Sequence, residues 1–389
     1  MKKTLGVLTG GGDVPGLNPA IKSVVLNALE DNYRVLGIRR GWMGLLNYDL
    51  NEPSTHDMYI KELDELEVRK IDRTGGTYLH TSRTNPQNVR TKDIPGFLIN
   101  SNYGKKKPDS DSTDYTDYVL KVLSDLKIDA LVSIGGDDTL SFSARLDKEG
   151  FPIVGIPKTL DNDVNGTDYC IGFSTGVSRS VNLITDMRTS FGSHERIGIV
   201  ELFGRYSGET SMITALLAQV DRAVISEVPF DIQKLAEFLV EDKCKSPSNY
   251  AVMTVSEGAQ FLGGEKILRG EEDAYGHKKL GGISDLISDE IRRITKTNTM
   301  VQKLGYVIRS GVPDSLDRMV GMAFGSIAVE LIKSKDTGKM VAIKDGKYTT
   351  VTLDTVINGK KHADVDSYYD KENYVPKVRT FLKHPMFLT

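Results

Sequence analysis

The chain has 389 residues, with 50 lysines and arginines against 53 aspartates and glutamates, and a net charge of −3. This length suffices for two domains of ordinary size. The balanced charge gives no overall positive field, so we expect neither nucleic-acid binding nor membrane attachment by charge. The two cysteines, Cys170 and Cys244, lack the spacing of a zinc site or disulfide framework. No apolar run is long enough to span a membrane, and we expect a cytoplasmic protein.

Short β-rich segments alternate with helical ones along most of the chain, a pattern typical of a parallel sheet covered by helices. The first series predicts strands at Leu5–Thr9, Arg34–Ile38, Ala130–Ile134 and Ile153–Ile156, with a helix at Leu17–Glu30. The second series predicts strands at Ile197–Leu202 and Ala251–Val255, with a helix at Ser211–Ala218. The sequence therefore predicts an α/β fold of two lobes, each with its own parallel-rich sheet.

Three further segments are less regular. Residues 84–116 are polar and lack a sustained period, which favours a surface excursion. Residues 340–353 contain two strand-like runs around Lys344-Asp345-Gly346, which predict a β-hairpin. The residues after Asp364 are rich in tyrosine and charge, and we expect them to be ordered only by packing on a lobe.

Chemistry-bearing residues follow the predicted strands directly. The loops concerned are Gly10–Asp13, Gly135–Thr139, Pro157–Asp163, Phe203–Arg205 and Glu257–Ala259. In an open parallel sheet, the loops at the carboxyl ends of the strands gather at one crevice, where ligands bind. We therefore expect these distant loops to build one site.

The residue types in these loops favour phosphoryl transfer. The glycine turn before the first helix is suited to binding an anion. Its glycine spacing matches neither the Rossmann nor the Walker motif, which disfavours a dinucleotide-binding oxidoreductase. Asp137, Asp138, Asp161 and Asp163 are interleaved with Lys158, Thr139 and Thr159. A single loop aspartate is usually just solvated. Four carboxylates beside a phosphate-type loop predict Mg²⁺ ligands and a general base.

Six motifs in collinear order resemble the phosphofructokinase A family. They are GGGDVPGLN at 10–18, GGDDT at 135–139, PKTLDND at 157–163, SHERIGIVELFGR at 193–205, SEGA at 256–259 and LGYVIRSGVPDSLDR at 304–318. The resemblance runs from about Lys3 to about Ile332. It implies two Rossmann-like lobes with the active site in the cleft between them.

The resemblance also implies a division of the chain. Residues 1–173 with about 310–345 would form the lobe that binds the phosphoryl donor, and residues 174–309 the lobe that binds the sugar phosphate. Residues 346–389 would form a hairpin strand and tail. Arg196 matches an arginine that reaches the sugar phosphate of a neighbouring subunit, which implies a homodimer or homotetramer.

Catalytic roles follow from the same resemblance. Asp161 would take the proton from the sugar 1-hydroxyl, Asp163 would help to hold the geometry, and Thr159 would contact the transferred group or the sugar. Asp137 would bind Mg²⁺ directly or through water. Arg83 would stabilise the charge that develops on the transferred group.

Binding roles are implied on both sides of the cleft. The backbone N–H groups of Gly11 and Gly12 would hold the donor phosphate, next to Asp138, Thr139 and Lys158. The residues that match the sugar-phosphate site are Thr159, Asp161, Arg196, Phe203, Gly204, Arg205, Glu257, Tyr306 and Arg309.

Two positions discriminate between phosphoryl donors. ATP-dependent bacterial members of the family carry glycine where this chain has Asp138 and Lys158. A carboxylate at 138 fills the space of the nucleotide and repels its phosphates, whereas Lys158 supplies a cation to a donor without a nucleoside. The resemblance therefore implies a Mg²⁺-dependent, reversible transfer from pyrophosphate to fructose 6-phosphate in glycolysis and gluconeogenesis.

Several alternatives stay open at this point. They are an ATP-dependent 6-phosphofructokinase, a pyrophosphate-dependent kinase of another sugar phosphate such as sedoheptulose 7-phosphate, and a sugar-phosphate sensor on the same fold. The acceptor is open because the family's phosphate-binding arginine is Met300 here, and its usual RGG is Arg309-Ser310-Gly311. Lys303 or Lys296 could supply the missing charge.

Overall fold

The computed structural model describes residues 2–377 except residues 109, 265–267, 270–278 and 281. Its strands are β1 Thr4–Thr9, β2 Arg34–Ile38, β3 Ile60–Glu62, β4 Val89–Arg90, β5 Lys105–Lys106, β6 Ser112–Asp114, β7 Ala130–Gly135, β8 Ile153–Pro157, β9 Ile197–Leu202, β10 Arg222–Val224, β11 Ala251–Ser256, β12 Leu268–Arg269, β13 Lys279–Leu280, β14 Thr299–Lys303, β15 Lys339–Lys344, β16 Lys347–Thr352, β17 Tyr369–Asp370 and β18 Val375–Pro376. Its α-helices are α1 Leu17–Glu30, α2 Trp42–Asn47, α3 His56–Tyr59, α4 Glu65–Val68, α5 Thr116–Asp125, α6 Asp137–Lys148, α7 Phe173–Ser193, α8 Glu209–Ala218, α9 Ile232–Lys245, α10 Ile283–Thr295, α11 Ser315–Lys333, α12 Leu353–Ile357 and α13 Val365–Tyr368. Part of the predicted tail, residues 378–389, lies outside the described residues.

A seven-stranded sheet forms the first lobe, in the order β16-β15-β8-β7-β1-β2-β3. Its five central strands are parallel, and an antiparallel strand closes each edge. The crossovers from β1 to β2 and from β7 to β8 run in opposite directions, so the strand order reverses between β1 and β7. Ligands of open α/β sheets bind at such a reversal, outside the carboxyl ends of the strands.

A four-stranded parallel sheet forms the second lobe, in the order β10-β11-β9-β14. Every residue of β9 and of β11 is buried, as expected for strands covered on both faces. The predicted α/β fold of two lobes, each with its own sheet, is confirmed.

Helices α1, α7 and α11 lie in a layer shared by both sheets. Buried residues of α1 such as Ile21, Val24, Val25 and Ala28 recur at helical spacing. They belong to an apolar cluster that also contains Val200 of the second sheet. The two lobes therefore share a continuous core, which fixes the cleft between them.

The less regular segments also pack on the lobes. Residues 84–116 contain a three-stranded sheet in the order β4-β6-β5. The predicted hairpin is β15 and β16, and it joins the first sheet. The tail crosses to the second lobe, where Tyr368, Tyr369 and Tyr374 are buried in its core. In the described part of the chain, no helix combines the length and apolar composition needed to cross a membrane.

Candidate active site

A cavity of about 510 Å³ opens between the lobes at the carboxyl ends of their strands. The predicted site residues that line it are Gly11, Gly12, Arg83, Asp137, Asp138, Thr139, Lys158, Thr159, Asp161, Asp163, Phe203, Arg205, Glu257, Tyr306 and Arg309. The cavity thus brings together loops that are up to 298 positions apart in the chain, from Gly11 to Arg309.

The glycine turn after β1 is held by backbone contacts. The Gly10 N–H donates to the Ile134 carbonyl at 2.9 Å, and the Gly11 N–H donates to the Ser82 carbonyl at 2.9 Å. In this structure the Gly11 N–H is therefore not directed at a donor, in contrast to the role that the resemblance implied. A Cβ atom at Gly12 would lie 1.9 Å from an Arg309 guanidinium nitrogen, so a larger residue at position 12 would displace the Arg309 side chain.

Asp137 and Asp138 lie in the first turn of α6, where the helix dipole stabilises negative charge. The Asp138 N–H donates to the Asp137 carboxylate at 2.9 Å, which fixes the first carboxylate relative to the helix. Both side chains line the cavity. They place two negative charges at a helix end that would otherwise attract a phosphate.

Asp161 and Asp163 project into the cavity from the loop after β8. The Arg205 N–H of the second lobe donates to the Asp161 carboxylate at 3.2 Å, so this carboxylate is fixed across the cleft. Burial raises the pKa of Asp161, opposed by the Arg309 charge. Burial, together with the charges of Asp161 and Asp137, raises the pKa of Asp163 to about 8. The site therefore concentrates negative charge that a cation would relieve.

Lys158 lies beneath the glycine turn, and only 3% of the residue is exposed. The Lys158 ammonium donates to the Gly12 carbonyl at 2.5 Å. Burial, followed by the charges of Arg309 and Arg83, lowers its pKa to about 7. A polyanionic ligand beside the glycine turn would restore the charged form, because an opposite charge favours protonation of a lysine.

The sugar side is built around Arg309. Its guanidinium lies 4.3 Å from the ring centre of Phe203 and 5.8 Å from that of Tyr306. Glu257 follows β11, and burial and the nearby Asp161 charge raise its pKa to about 7. Gly204 has a φ of 140°, and its carbonyl accepts a hydrogen bond from Ser226 at 2.5 Å. Gly204 therefore shapes the loop between Phe203 and Arg205, although it does not line the cavity.

Comparisons with known proteins agree with this arrangement. A model of the family described as Phosphofructokinase matches residues 4–332. The chain belongs to the phosphofructokinase family. This match includes both sheets except for the β15–β16 hairpin, and all of the predicted site residues.

Relatives of this phosphofructokinase carry names with either donor. A pyrophosphate--fructose 6-phosphate 1-phosphotransferase of Dictyoglomus thermophilum is 34% identical over 97% of this chain and 99% of its own length. An ATP-dependent 6-phosphofructokinase 3 of Streptomyces coelicolor is 33% identical over 95% of this chain and 98% of its own. The crystal structure of a pyrophosphate-dependent phosphofructokinase from Marinobacter aquaeolei shares the fold, with a TM-score of 0.72 at 20% identity, over 97% of this chain and 89% of that one.

The departures from the family pattern are explained by packing. Met300 packs against the apolar cluster between the lobes and does not line the cavity of this phosphofructokinase. Lys303, at the end of β14, does line it and pairs with Asp285 at 2.5 Å. Lys296 follows α10 and donates to the Arg293 carbonyl at 3.1 Å, outside the cavity. Lys303 is therefore the one of these two lysines that can supply the missing charge.

Arg196 is a predicted sugar-site residue that does not line the cavity. It directly precedes β9 and donates its N–H to the Phe191 carbonyl at 3.0 Å. The cavity lies at the opposite, carboxyl end of β9. Arg196 therefore does not line the cavity of its own chain.

Sequence reasoning missed three polar side chains that line the cavity: Glu201, Tyr206 and Lys360. Glu201 belongs to β9 and accepts hydrogen bonds from Ser284 at the start of α10. Glu201 and Tyr206 lie on either side of the predicted site loop Phe203–Arg205, so their place in the sequence could have identified them as site residues. Lys360 lies in the tail, where no sequence pattern pointed to it.

The residues of the site fit a magnesium ion. In the described ranges, no group of three or more histidine, cysteine or acidic residues is arranged as a ready-made metal cage. Mg²⁺ commonly binds one or two carboxylates and completes its shell with water and substrate phosphates. Asp137 lines the cavity and would be such a carboxylate. Burial, with the charges of Asp161 and Asp137, raises the pKa of the neighbouring Asp163 to about 8, and Lys360 opposes this rise.

Replacing Asp163 by asparagine should stabilise the metal-free protein. The folded protein holds the Asp163 proton up to about pH 8, since its pKa is raised to about 8. The unfolded chain releases the same proton at about pH 4. Between these two pH values ionisation favours the unfolded chain, so stability falls as the pH rises. We expect Asp163→Asn to raise the Tm by about 2–5 °C at pH 8 and by much less at pH 4, in EDTA.

Asp345→Asn is the matched control, because Asp345 is exposed at the hairpin turn. It should change the Tm at neither pH. An Asp163→Asn Tm equal to wild type at pH 8 would mean that Asp163 is ionised in the folded protein without cost.

Proposed function

We propose that this phosphofructokinase is a cytoplasmic, Mg²⁺-dependent pyrophosphate:fructose-6-phosphate 1-phosphotransferase that works reversibly. The observation that carries the proposal is the pair of donor-side residues in the cavity, Asp138 in the first turn of α6 and the buried Lys158 under the glycine turn. Relatives named for pyrophosphate are 34–35% identical to this chain, and relatives named for ATP are 32–33% identical. The names therefore support pyrophosphate by a narrow margin, and the two side chains give the physical reason.

The carboxylate of Asp138 disfavours a nucleoside triphosphate for two reasons. It occupies space at the helix end, and its negative charge repels a polyphosphate in a partly dehydrated cleft. Pyrophosphate has no nucleoside to bury and gains its affinity from cations alone. Lys158 and Arg83 line the cavity and supply such cations.

The reaction uses the two sides of the cleft together. The sugar 1-hydroxyl would attack a phosphorus atom of pyrophosphate while Asp161 accepts the hydroxyl proton. The new P–O bond forms as the bond to the second phosphate breaks, and orthophosphate leaves. The Arg205 N–H orients the Asp161 carboxylate for this transfer. Mg²⁺ bound at Asp137 would neutralise the phosphate charge.

The position of Arg196 bears on the assembly of the enzyme. Arg196 precedes β9, at the end of this strand that lies away from the cavity of its own chain. Within that cavity, the second lobe contributes the cations Lys303 and Arg309. We infer a homodimer or homotetramer in which Arg196 of one copy completes the sugar-phosphate site of another.

Steady-state assays of the purified protein with fructose 6-phosphate and Mg²⁺ test the donor. We expect kcat/KM to be at least about 100-fold higher with pyrophosphate than with ATP, the effect of several kcal/mol of differential binding. Sedoheptulose 7-phosphate serves as the alternative acceptor in the same assay. Faster turnover with ATP would refute the donor assignment, and absence of turnover with either donor would favour a sugar-phosphate sensor.

A further inference from the structure

Residues Gly359–Ala363, which we call the strap, cross from the first lobe to the second along the edge of the cavity. Lys360 forms a β-bridge with Val164, and the next backbone N–H donates to the Asp163 carbonyl at 3.2 Å. On the other lobe, the Ala363 N–H donates to the Glu227 carboxylate at 2.8 Å. The strap is therefore attached to both lobes.

Lys361 fixes the strap further by turning away from the cavity. Its ammonium donates to the Asp168 carbonyl at 3.0 Å and pairs with Glu209 at 3.3 Å. Only 12% of the Lys361 side chain and 1% of the Glu209 side chain are exposed. Since Lys360 is bridged to Val164 and the adjacent Lys361 is held, the backbone of Lys360 has a fixed place beside the site.

The Lys360 side chain points into the cavity. Its ammonium lies 3.2 Å from the Asp137 carboxylate and 3.6 Å from the ring centre of Tyr206. About 31% of the side chain is exposed, so the ammonium remains accessible to a ligand. Lys360 lies beyond residues 4–332, the part matched by the family model. The family model therefore does not include Lys360.

We propose that Lys360 is a donor-binding residue that releases Asp137 to Mg²⁺ and then holds a phosphate oxygen of pyrophosphate. The proposal rests on the proposed function. Mg²⁺ held at Asp137 would repel the Lys360 ammonium, which would then leave the carboxylate. The flexible four-carbon stem lets the ammonium move while the strap stays fixed. The phosphates of a donor bound beside Asp137 would offer the ammonium a new anionic partner.

Binding of methylenediphosphonate, a pyrophosphate analogue that cannot be hydrolysed, tests the proposal by calorimetry in the presence of Mg²⁺. Loss of one charged hydrogen bond should raise the Kd of Lys360→Met about 10- to 100-fold. The KM for pyrophosphate should rise by a similar factor, and the KM for fructose 6-phosphate should stay within about twofold. Lys360→Arg should retain part of the affinity. Lys344→Met is the control, because Lys344 is exposed at the end of β15.

The outcomes separate this inference from the proposed function. If wild type uses pyrophosphate but Lys360→Met binds the analogue as tightly as wild type, Lys360 only neutralises Asp137 and the inference is overturned. If wild type itself neither binds the analogue nor uses pyrophosphate, the proposed function fails, and the inference with it.

Lysine labelling of the wild-type protein removes any dependence on folding of the variants. The protein is treated with acetic anhydride at limiting concentration, and the labelled fraction of each lysine is read by mass spectrometry. Methylenediphosphonate with Mg²⁺ should lower labelling of Lys360 at least about threefold and leave Lys344 unchanged, since an ammonium held by phosphate is shielded from the reagent. Equal or greater labelling of Lys360 with the analogue would contradict the proposal.

Discussion

Replacing Asp161 by asparagine should lower kcat by about 10²- to 10⁴-fold, the usual contribution of a general base. Asparagine keeps the size of the side chain and can still accept the Arg205 N–H bond at 3.2 Å through its amide oxygen. It has no carboxylate to accept the hydroxyl proton. Binding of fructose 6-phosphate should therefore change little, within about threefold, so that the loss falls on kcat.

Steady-state kinetics with each substrate varied in turn measure this split. Asp345→Asn again serves as a control for the loss of one carboxylate outside the cavity. A kcat of Asp161→Asn within tenfold of wild type would mean that another group takes the proton. Asp163 is the neighbouring candidate, and its asparagine variant would then show the larger loss of activity.

Replacing Asp138 by glycine should increase use of ATP. The substitution removes a negative charge and the side-chain volume from the first turn of α6, where nucleotide phosphates would otherwise be attracted by the helix end. We expect the ratio of kcat/KM for ATP to that for pyrophosphate to rise about 10- to 100-fold. The same assay with both donors, at fixed fructose 6-phosphate and Mg²⁺, gives this ratio.

Adding Lys158→Gly should raise the ratio further by weakening pyrophosphate binding. The structure also predicts a cost in stability, because Lys158 is buried and donates to the Gly12 carbonyl at 2.5 Å. Thermal unfolding should therefore accompany the kinetics of the double variant. Asp117→Gly, in the first turn of α5 and outside the cavity, controls for placing glycine at a helix start. No gain of ATP use in either variant would mean that other residues exclude the nucleotide.

Most strands of the two large sheets and the site loops could be predicted from the sequence because their signals are local. The buried strands of parallel sheets are short apolar runs, and the loop after each one is marked by glycine, proline or aspartate. The observed Arg34–Ile38 and Ile197–Leu202 strands have the predicted bounds. The rule that parallel strands end on the same side of a sheet groups the loops within each lobe.

The contacts across the cleft could not be predicted in the same way. The approach of Arg309 to Gly12 depends on how the second lobe packs against the first through α1, α7 and α11. The raised pKa of Asp163 depends on burial and on Asp137 from a different loop. Lys303 takes its place in the cavity because β14 is the edge strand of the second sheet and ends there. Each of these contacts and pKa shifts depends on several chain segments that are distant in sequence.

The sequence by itself determined the α/β class, the strand-end loops, the charge-bearing residues on them and the Asp138 and Lys158 pair from which the donor is inferred. The net charge of −3 excluded nothing about the local field. Only the tertiary structure decided which charges face one another, and it added Lys360 from a tail that has no recognisable pattern. The physical reason is that the type of a side chain is known from one position of the sequence. Its distance to a partner and its exposure to water depend on how the two lobes pack together.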